Sequence, residues 1–131
     1  MIVIDASALL EVLLNTSNAP PLAERLFASH ETLHAPHLID LEVAQVLRRY
    51  ALVGDLDVER GSEALSDLAD LPVTRYPHDF LLPRIWQLRH NVTAYDAAYL
   101  ALAETLHCPL VTCDRALGGV PGHEAEVQVI G

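Results

Sequence analysis

Four carboxylates in this 131-residue chain stand where a carboxylate is either costly or aimed. Asp5 closes the apolar, β-branched run Ile2-Val3-Ile4, and Asp114 closes Leu110-Val111-Thr112-Cys113. Both runs read as buried parallel strands, so both acids fall at strand C-terminal ends, the edge at which open parallel sheets bind ligands. Glu42 lies between Ile39 and Val46 within the apolar stripe of a helix that turns about 100° per residue. An ionised Glu there needs a partner or a metal, because a bare buried charge is too expensive. Asp96 leads the face that carries Leu100, Ala103 and His107, in a first helical turn where the macrodipole favours its ionised form. Gathered together, the four make an oxygen-rich site suited to a hard divalent cation such as Mg²⁺. Each acid also has a local structural reading. Asp5 and Asp114 sit where helix N-caps would, Thr93-x-x-Asp96 has capping-box spacing, and Glu42 has Arg49 two turns further on. At this level both readings stand side by side. The seven histidines add no ligand pattern; the nearest, His34-x-x-His37, spans a proline and reads as incidental.

Positioning these acids requires alternating strands and helices. After Ile2–Ile4 the composition predicts a helix over Ala6–Leu14 and another from Pro20 to about Ser29, proline being tolerated in a first turn. Thr32 to Ala35 reads as a short strand stopped by Pro36. His37 to Val53 is an amphipathic helix that turns Ile39, Val43, Val46, Leu47 and Tyr50 inward and stops at Gly54. A helix over Asp57–Asp70 buries Ala64, Leu65, Leu68 and Leu71; Val73–Tyr76 is a strand, and Asp79–Arg89 and Ala94–His107 are helices. Leu110–Cys113 and a weaker Glu126–Ile130 complete the strands. This order predicts an α/β fold: one domain spanning residues 1–131, with a parallel sheet of about four or five short strands covered by helices on both faces.

Composition bounds the reading further. At 51% hydrophobic residues, with no repeat, linker or run of like charge, the chain is globular and long enough for its own core. The start Met-Ile-Val-Ile-Asp argues against a signal peptide, and no stretch reaches the roughly eighteen apolar residues of a membrane span. Cys108 and Cys113 read as buried free thiols of a cytoplasmic protein. Eighteen acids face eight bases, for a net charge of −10, and every base is arginine. A non-specific nucleic-acid binder normally has the opposite sign, so a nucleic-acid substrate would have to be met locally, by a metal and a few arginines. The missing lysine argues against a phospho-receiver or a haloacid-type hydrolase, each of which uses one beside its phosphoryl group; the latter also wants an Asp where Ser7 stands. A P-loop lacks its glycines and lysine, and no Gly-rich turn follows the first strand as a dinucleotide fold would need.

The whole chain resembles the PIN-domain family, and within it the toxin ribonucleases of VapBC toxin–antitoxin systems. Four blocks carry the resemblance: Val3-Ile4-Asp5-Ala6-Ser7-Ala8-Leu9, His37-Leu38-Ile39-Asp40-Leu41-Glu42-Val43, Thr93 to Ala103, and Leu110-Val111-Thr112-Cys113-Asp114. Any one block is weak; the four in this order and spacing are specific. The resemblance implies that Asp5, Glu42, Asp96 and Asp114 bind Mg²⁺ or Mn²⁺ at the sheet edge, with Ser7 and Thr112 hydrogen-bonding around them. It implies metal-assisted hydrolysis of RNA phosphodiesters, structured RNAs such as tRNA being frequent targets. It also implies a small VapB-type antitoxin that covers the site, and a homodimer. Some members carry a further acid just past the last block, where this chain has Ala116 and Leu117, which bears against a second tightly held metal. Arg115, next to Asp114, is the first candidate for RNA contact because its fork can hold two phosphate oxygens; Arg48, Arg49, Arg75, Arg84 and Arg89 form the remaining pool. A PIN-like module that only binds a partner is the non-enzymatic alternative, and it predicts missing acids.

Overall fold

The computed structural model describes all 131 residues. Its strands are β1 (Ile2–Ile4), β2 (Leu33–Pro36), β3 (Val73–Tyr76), β4 (Leu110–Thr112) and β5 (Val127–Val129), in one sheet ordered β3-β2-β1-β4-β5. Every pairing is parallel. The central strand β1 is fully covered, which is why its sequence is apolar at every position rather than alternating.

Seven helices connect the strands: α1 (Ala6–Leu13), α2 (Ala19–Leu26), α3 (Leu38–Leu52), α4 (Val58–Asp70), α5 (Leu82–Gln87), α6 (Ala94–Leu106) and α7 (Arg115–Gly118). The chain runs outward from β1 through β2 to β3, then returns past β1 to β4 and β5. Right-handed crossovers in opposite directions put α1–α4 on one face and α5–α6 on the other. The direction reverses between β1 and β4, so a crevice opens at their C-terminal ends. Asp5 and Asp114 follow those two strands.

Several details differ from the sequence expectations, each for a physical reason. The stretch Asp79–Arg89 is not one helix. A 3₁₀ turn over Asp79–Leu81 precedes α5, because Pro83 has no N–H and suits only a first turn. Tyr50 and Leu65 are exposed, not inward, because the buried stripe of α3 narrows to Ile39, Val43 and Leu47, which α4 meets through Ala64 and Leu68. Pro36 closes β2 from inside, opposite Tyr76, rather than stopping it from outside. The short α7 follows Asp114, and the N-cap reading of that acid is its only sign in the sequence. Helix α6 is buried from Ala97 to Ala103 without a gap, so it has no single apolar face: β1, β2 and β4 line one side and α5 the other. Its alanines permit that close approach. Both cysteines are free but only half-buried, and burial raises the Cys113 thiol to about 11, which makes it unreactive.

Candidate active site

The β1 edge is built first. Asp5 is the N-cap of α1: its Oδ1 accepts the Ala8 amide at 3.0 Å and the Ser7 hydroxyl at 2.7 Å. Its Oδ2 accepts the Thr112 hydroxyl at 2.5 Å. Thr112 in turn accepts the Asp114 amide at 3.0 Å, and Ser7 accepts the Cys113 amide at 3.0 Å. Each hydroxyl has one proton, and both protons go to Asp5, so the 3.2 Å approach of Ser7 to Thr112 carries none. The Thr112–Asp5 and Cys113–Ser7 bonds therefore stitch the β1 end to the β4 end across the crevice. Three of Asp5's roughly four lone-pair sites are filled, leaving one on Oδ2. Asp114 caps α7 through Oδ1, at 2.9 Å from the Ala116 amide, and keeps its other oxygen in solvent. The capping and site readings of these two acids are thus not alternatives: the cap aims the carboxylate.

Glu42 and Asp96 complete the group from opposite layers. Both are half-buried. Glu42 is not paired with Arg49; its Oε1 accepts the Tyr99 hydroxyl at 2.5 Å. Asp96 sits in the first turn of α6, which Thr93 caps by accepting the Asp96 amide at 3.3 Å.

The electrostatics tie the four together. The Asp5 carboxyl is pushed above the ordinary range by burial, against three hydrogen bonds, with Asp114 adding repulsion. Glu42 is raised by burial and by the charges of Asp96 and Asp5, and Asp96 by burial and by Asp114 and Asp5. For Asp96 this reverses the expectation from the helix dipole: burial and two neighbouring acids outweigh a first-turn effect of about 0.3–1 kcal/mol. None of the five ion pairs in the molecule reaches any of the four.

The arrangement thus presents oxygen donors only, mutually repelling and without a cationic side chain, and such a set is completed by a hard divalent cation. No three His, Cys, Asp or Glu side chains form a preassembled cage, in keeping with carboxylates that repel across the crevice. The donor chemistry fits Mg²⁺ or Mn²⁺. His34 and His37 do not form a ligand pair. His34 is buried between Tyr76 and Thr32, at 2.8 Å from each hydroxyl, while His37 is exposed.

A PIN domain matches residues 2–122. The chain belongs to the PIN-domain family. Ribonuclease VapC9 of Mycobacterium tuberculosis is 45% identical over 130 residues, 99% of this chain and 98% of that protein. Among solved structures, PAE2754 from Pyrobaculum aerophilum superposes with a TM-score of 0.71 at 27% identity, covering 98% of this chain and 83% of the other. A toxin-antitoxin complex from Klebsiella pneumoniae shares the fold, with a TM-score of 0.67 at 20% identity and coverage of 98% and 97%.

Two features of this PIN domain were not read from sequence. The first is Tyr99, whose hydroxyl anchors Glu42 and whose own ionisation is strongly suppressed by burial and by that carboxylate. Its position three residues after Asp96 was the available signal, since i and i+3 share a helix side. The second is the fate of the arginines. Arg75 is bidentate on Asp40 and Arg84 is bidentate on Glu104, so neither is free for substrate. Arg89 lies over the Trp86 ring, 4.7 Å from its centroid. Arg115 is exposed and donates to the Gly131 carbonyl at 3.4 Å. Arg48 and Arg49 enter no ion pair.

Proposed function

We propose that this chain is a Mg²⁺-dependent endoribonuclease, the toxin of a type II toxin–antitoxin system. The observation that carries the reading is the set of four convergent acids left without any cationic partner, with Asp5, Glu42 and Asp96 raised in pKa, on a PIN fold whose relatives are named ribonucleases.

Asp5, Asp96 and Asp114 hold the ion, Mn²⁺ serving in place of Mg²⁺. When bound, it lowers the pKa of a water and neutralises charge on the phosphate. The chain's own residues do the positioning. Ser7, Thr112 and the Ala8 amide leave Asp5 a single oxygen site facing the crevice. Tyr99 fixes one oxygen of Glu42 and leaves Oε2 to meet the attacking water. Arg115, beside Asp114, meets a phosphate from the sheet edge. The substrate is RNA, structured targets such as tRNA included, and the reaction is phosphodiester hydrolysis in the cytoplasm. No helix is long and apolar enough to cross a membrane.

The partner is a VapB-type antitoxin whose segment covers the acids and supplies the positive charge they lack; a complex of this kind shares the fold. A second copy of the chain completes a homodimer, for which the exposed Phe80, Leu82 and Trp86 offer apolar surface.

The test incubates total RNA with the protein and with Asp96→Asn, in Mg²⁺ or EDTA, and sequences the new ends. New ends that need both Asp96 and the ion are expected. Cutting by the variant at the parental rate, or cutting unaffected by EDTA, sinks the assignment.

A further inference from the structure

Beside the acids, a groove of about 620 Å³ opens between α1, α3 and the start of α6. Ser7 and Glu42 stand at its catalytic end, and Leu41, Arg49, Tyr50 and Tyr95 line the rest. We propose that this groove is a nucleotide subsite flanking the cleavage point, with Tyr95 stacking the base and Arg49 meeting the adjoining phosphate. The inference rests on the ribonuclease reading and names where its substrate lies.

Three observations carry it. Tyr95 is 63% exposed in a first turn pinned by the Thr93 cap, so its backbone is held beside Asp96, the next residue. One turn later Tyr99 shows what an aromatic of this helix does for the fold: it is buried and bonded to Glu42. Tyr95 does neither, and its hydroxyl has no partner. Second, Tyr95 borders both this groove and a smaller apolar cleft with Leu38, His78, Leu82 and Ile85, so the ring is open to a base from either side. Third, Arg49 is the groove's only cation and enters no ion pair. It lies seven residues from Glu42 on the same helix, about 10 Å along the axis, in reach of a phosphate beyond the one being cut. Glu11 lines the far wall and repels phosphate there, which confines the anionic backbone to the Arg49 side.

The net charge gives the stacking its importance. At −10 the chain gains little from long-range attraction to phosphate, so affinity has to come from contacts that do not depend on charge. Base–aromatic stacking is such a contact, and it tolerates any sequence.

The test uses Asp96→Asn protein, which leaves RNA uncut, and two probes of equal charge: a short single-stranded RNA of mixed sequence and an abasic ribose-phosphate strand. Dissociation constants are read by fluorescence anisotropy in Mg²⁺. Adding Tyr95→Ala should weaken the RNA by about 5- to 150-fold and leave the abasic strand nearly unchanged, while Tyr95→Phe keeps full affinity. Arg49→Gln should weaken both strands alike and flatten the salt dependence. Equal affinity of the Tyr95→Ala protein for RNA overturns the subsite, as does an equal loss on both probes. An effect confined to antitoxin binding also overturns it, and makes the groove a protein seat. These outcomes are separate from the failure of the parent protein to cut RNA with Mg²⁺, which would remove the ribonuclease reading itself.

Discussion

The two edges of one sheet treat their carboxylates in opposite ways. At the N-terminal edge Glu31 receives the chain's own amino group and Arg25, while Glu104 takes both arms of Arg84 and the Glu124 amide. Both acids are held below the ordinary range, mainly by these hydrogen bonds. At the C-terminal edge Asp5, Glu42 and Asp96 are held above it, by burial and by the charges of neighbouring acids, Asp114 among them. The chain has arginines enough to pair structural acids, yet none is spent on the crevice. Acids that serve the fold are neutralised by it; the acids of the proposed metal site are left in deficit.

That contrast can be broken in several ways. The largest effect should come from Asp96→Asn or Asp5→Asn, which should lower the rate of metal-dependent RNA cleavage by on the order of 10³-fold or more while the circular dichroism spectrum stays native. Next, Thr112→Val removes the hydroxyl that orients Asp5 and receives the Asp114 amide. A 10- to 100-fold loss of cleavage or metal affinity is expected, about the usual cost of losing a group that orients a ligand, and an unchanged rate would show that Asp5 needs no such orientation. Third, Mg²⁺ or Mn²⁺ at about a hundred times its Kd should raise the unfolding temperature by roughly 10 °C, reversibly with EDTA, and Glu104→Gln should leave that increment intact. Fourth, Glu104→Gln itself should cost about 1 kcal/mol, discounted for the solvent around this partly exposed pair, and leave cleavage alone.

The smallest effect is a slope. Asp5, Glu42 and Asp96 have folded pKa values above their unfolded ones, so the folded chain binds more protons. Metal-free stability then falls as pH rises from about 4 through the raised values. Glu31 and Glu104 act the other way, contributing stability above about pH 4 that is lost as pH falls through their lowered values. Urea midpoints in EDTA should therefore decline less steeply with pH in Glu42→Gln than in the parent; parallel curves would mean that Glu42 carries no strain.

The sequence made legible whatever depends on one strand or one turn. Ile2–Ile4 followed by Asp5, and Leu110–Cys113 followed by Asp114, placed two acids at strand ends without any knowledge of the sheet. The α/β class and the parallel pairing followed from alternation. Strand order did not, because nothing local distinguishes a crossover that adds β4 beside β1 from one that continues beyond β3. Burial is illegible where the apolar period outruns the packing: Tyr50 and Leu65 continue the period of α3 and α4, yet both stay exposed. Tyr99 was missed because its bond spans 57 residues. The partners of the arginines are illegible for the same reason, since Arg75 and Asp40 are 35 residues apart and Arg84 and Glu104 are 20 apart.

Under the proposed mechanism Asp5 and Asp114 double as helix caps, which limits how this chain can drift. Asparagine caps about as well as aspartate, whereas alanine forfeits roughly 0.5–2 kcal/mol at such a position. Loss of catalysis through Asn at position 5 or 114 therefore leaves the architecture nearly untouched, while loss through Ala erodes both. Silent descendants of such an enzyme are expected to keep Asp or Asn at these two sites and to vary more freely at Glu42 and Asp96, whose side chains cap nothing.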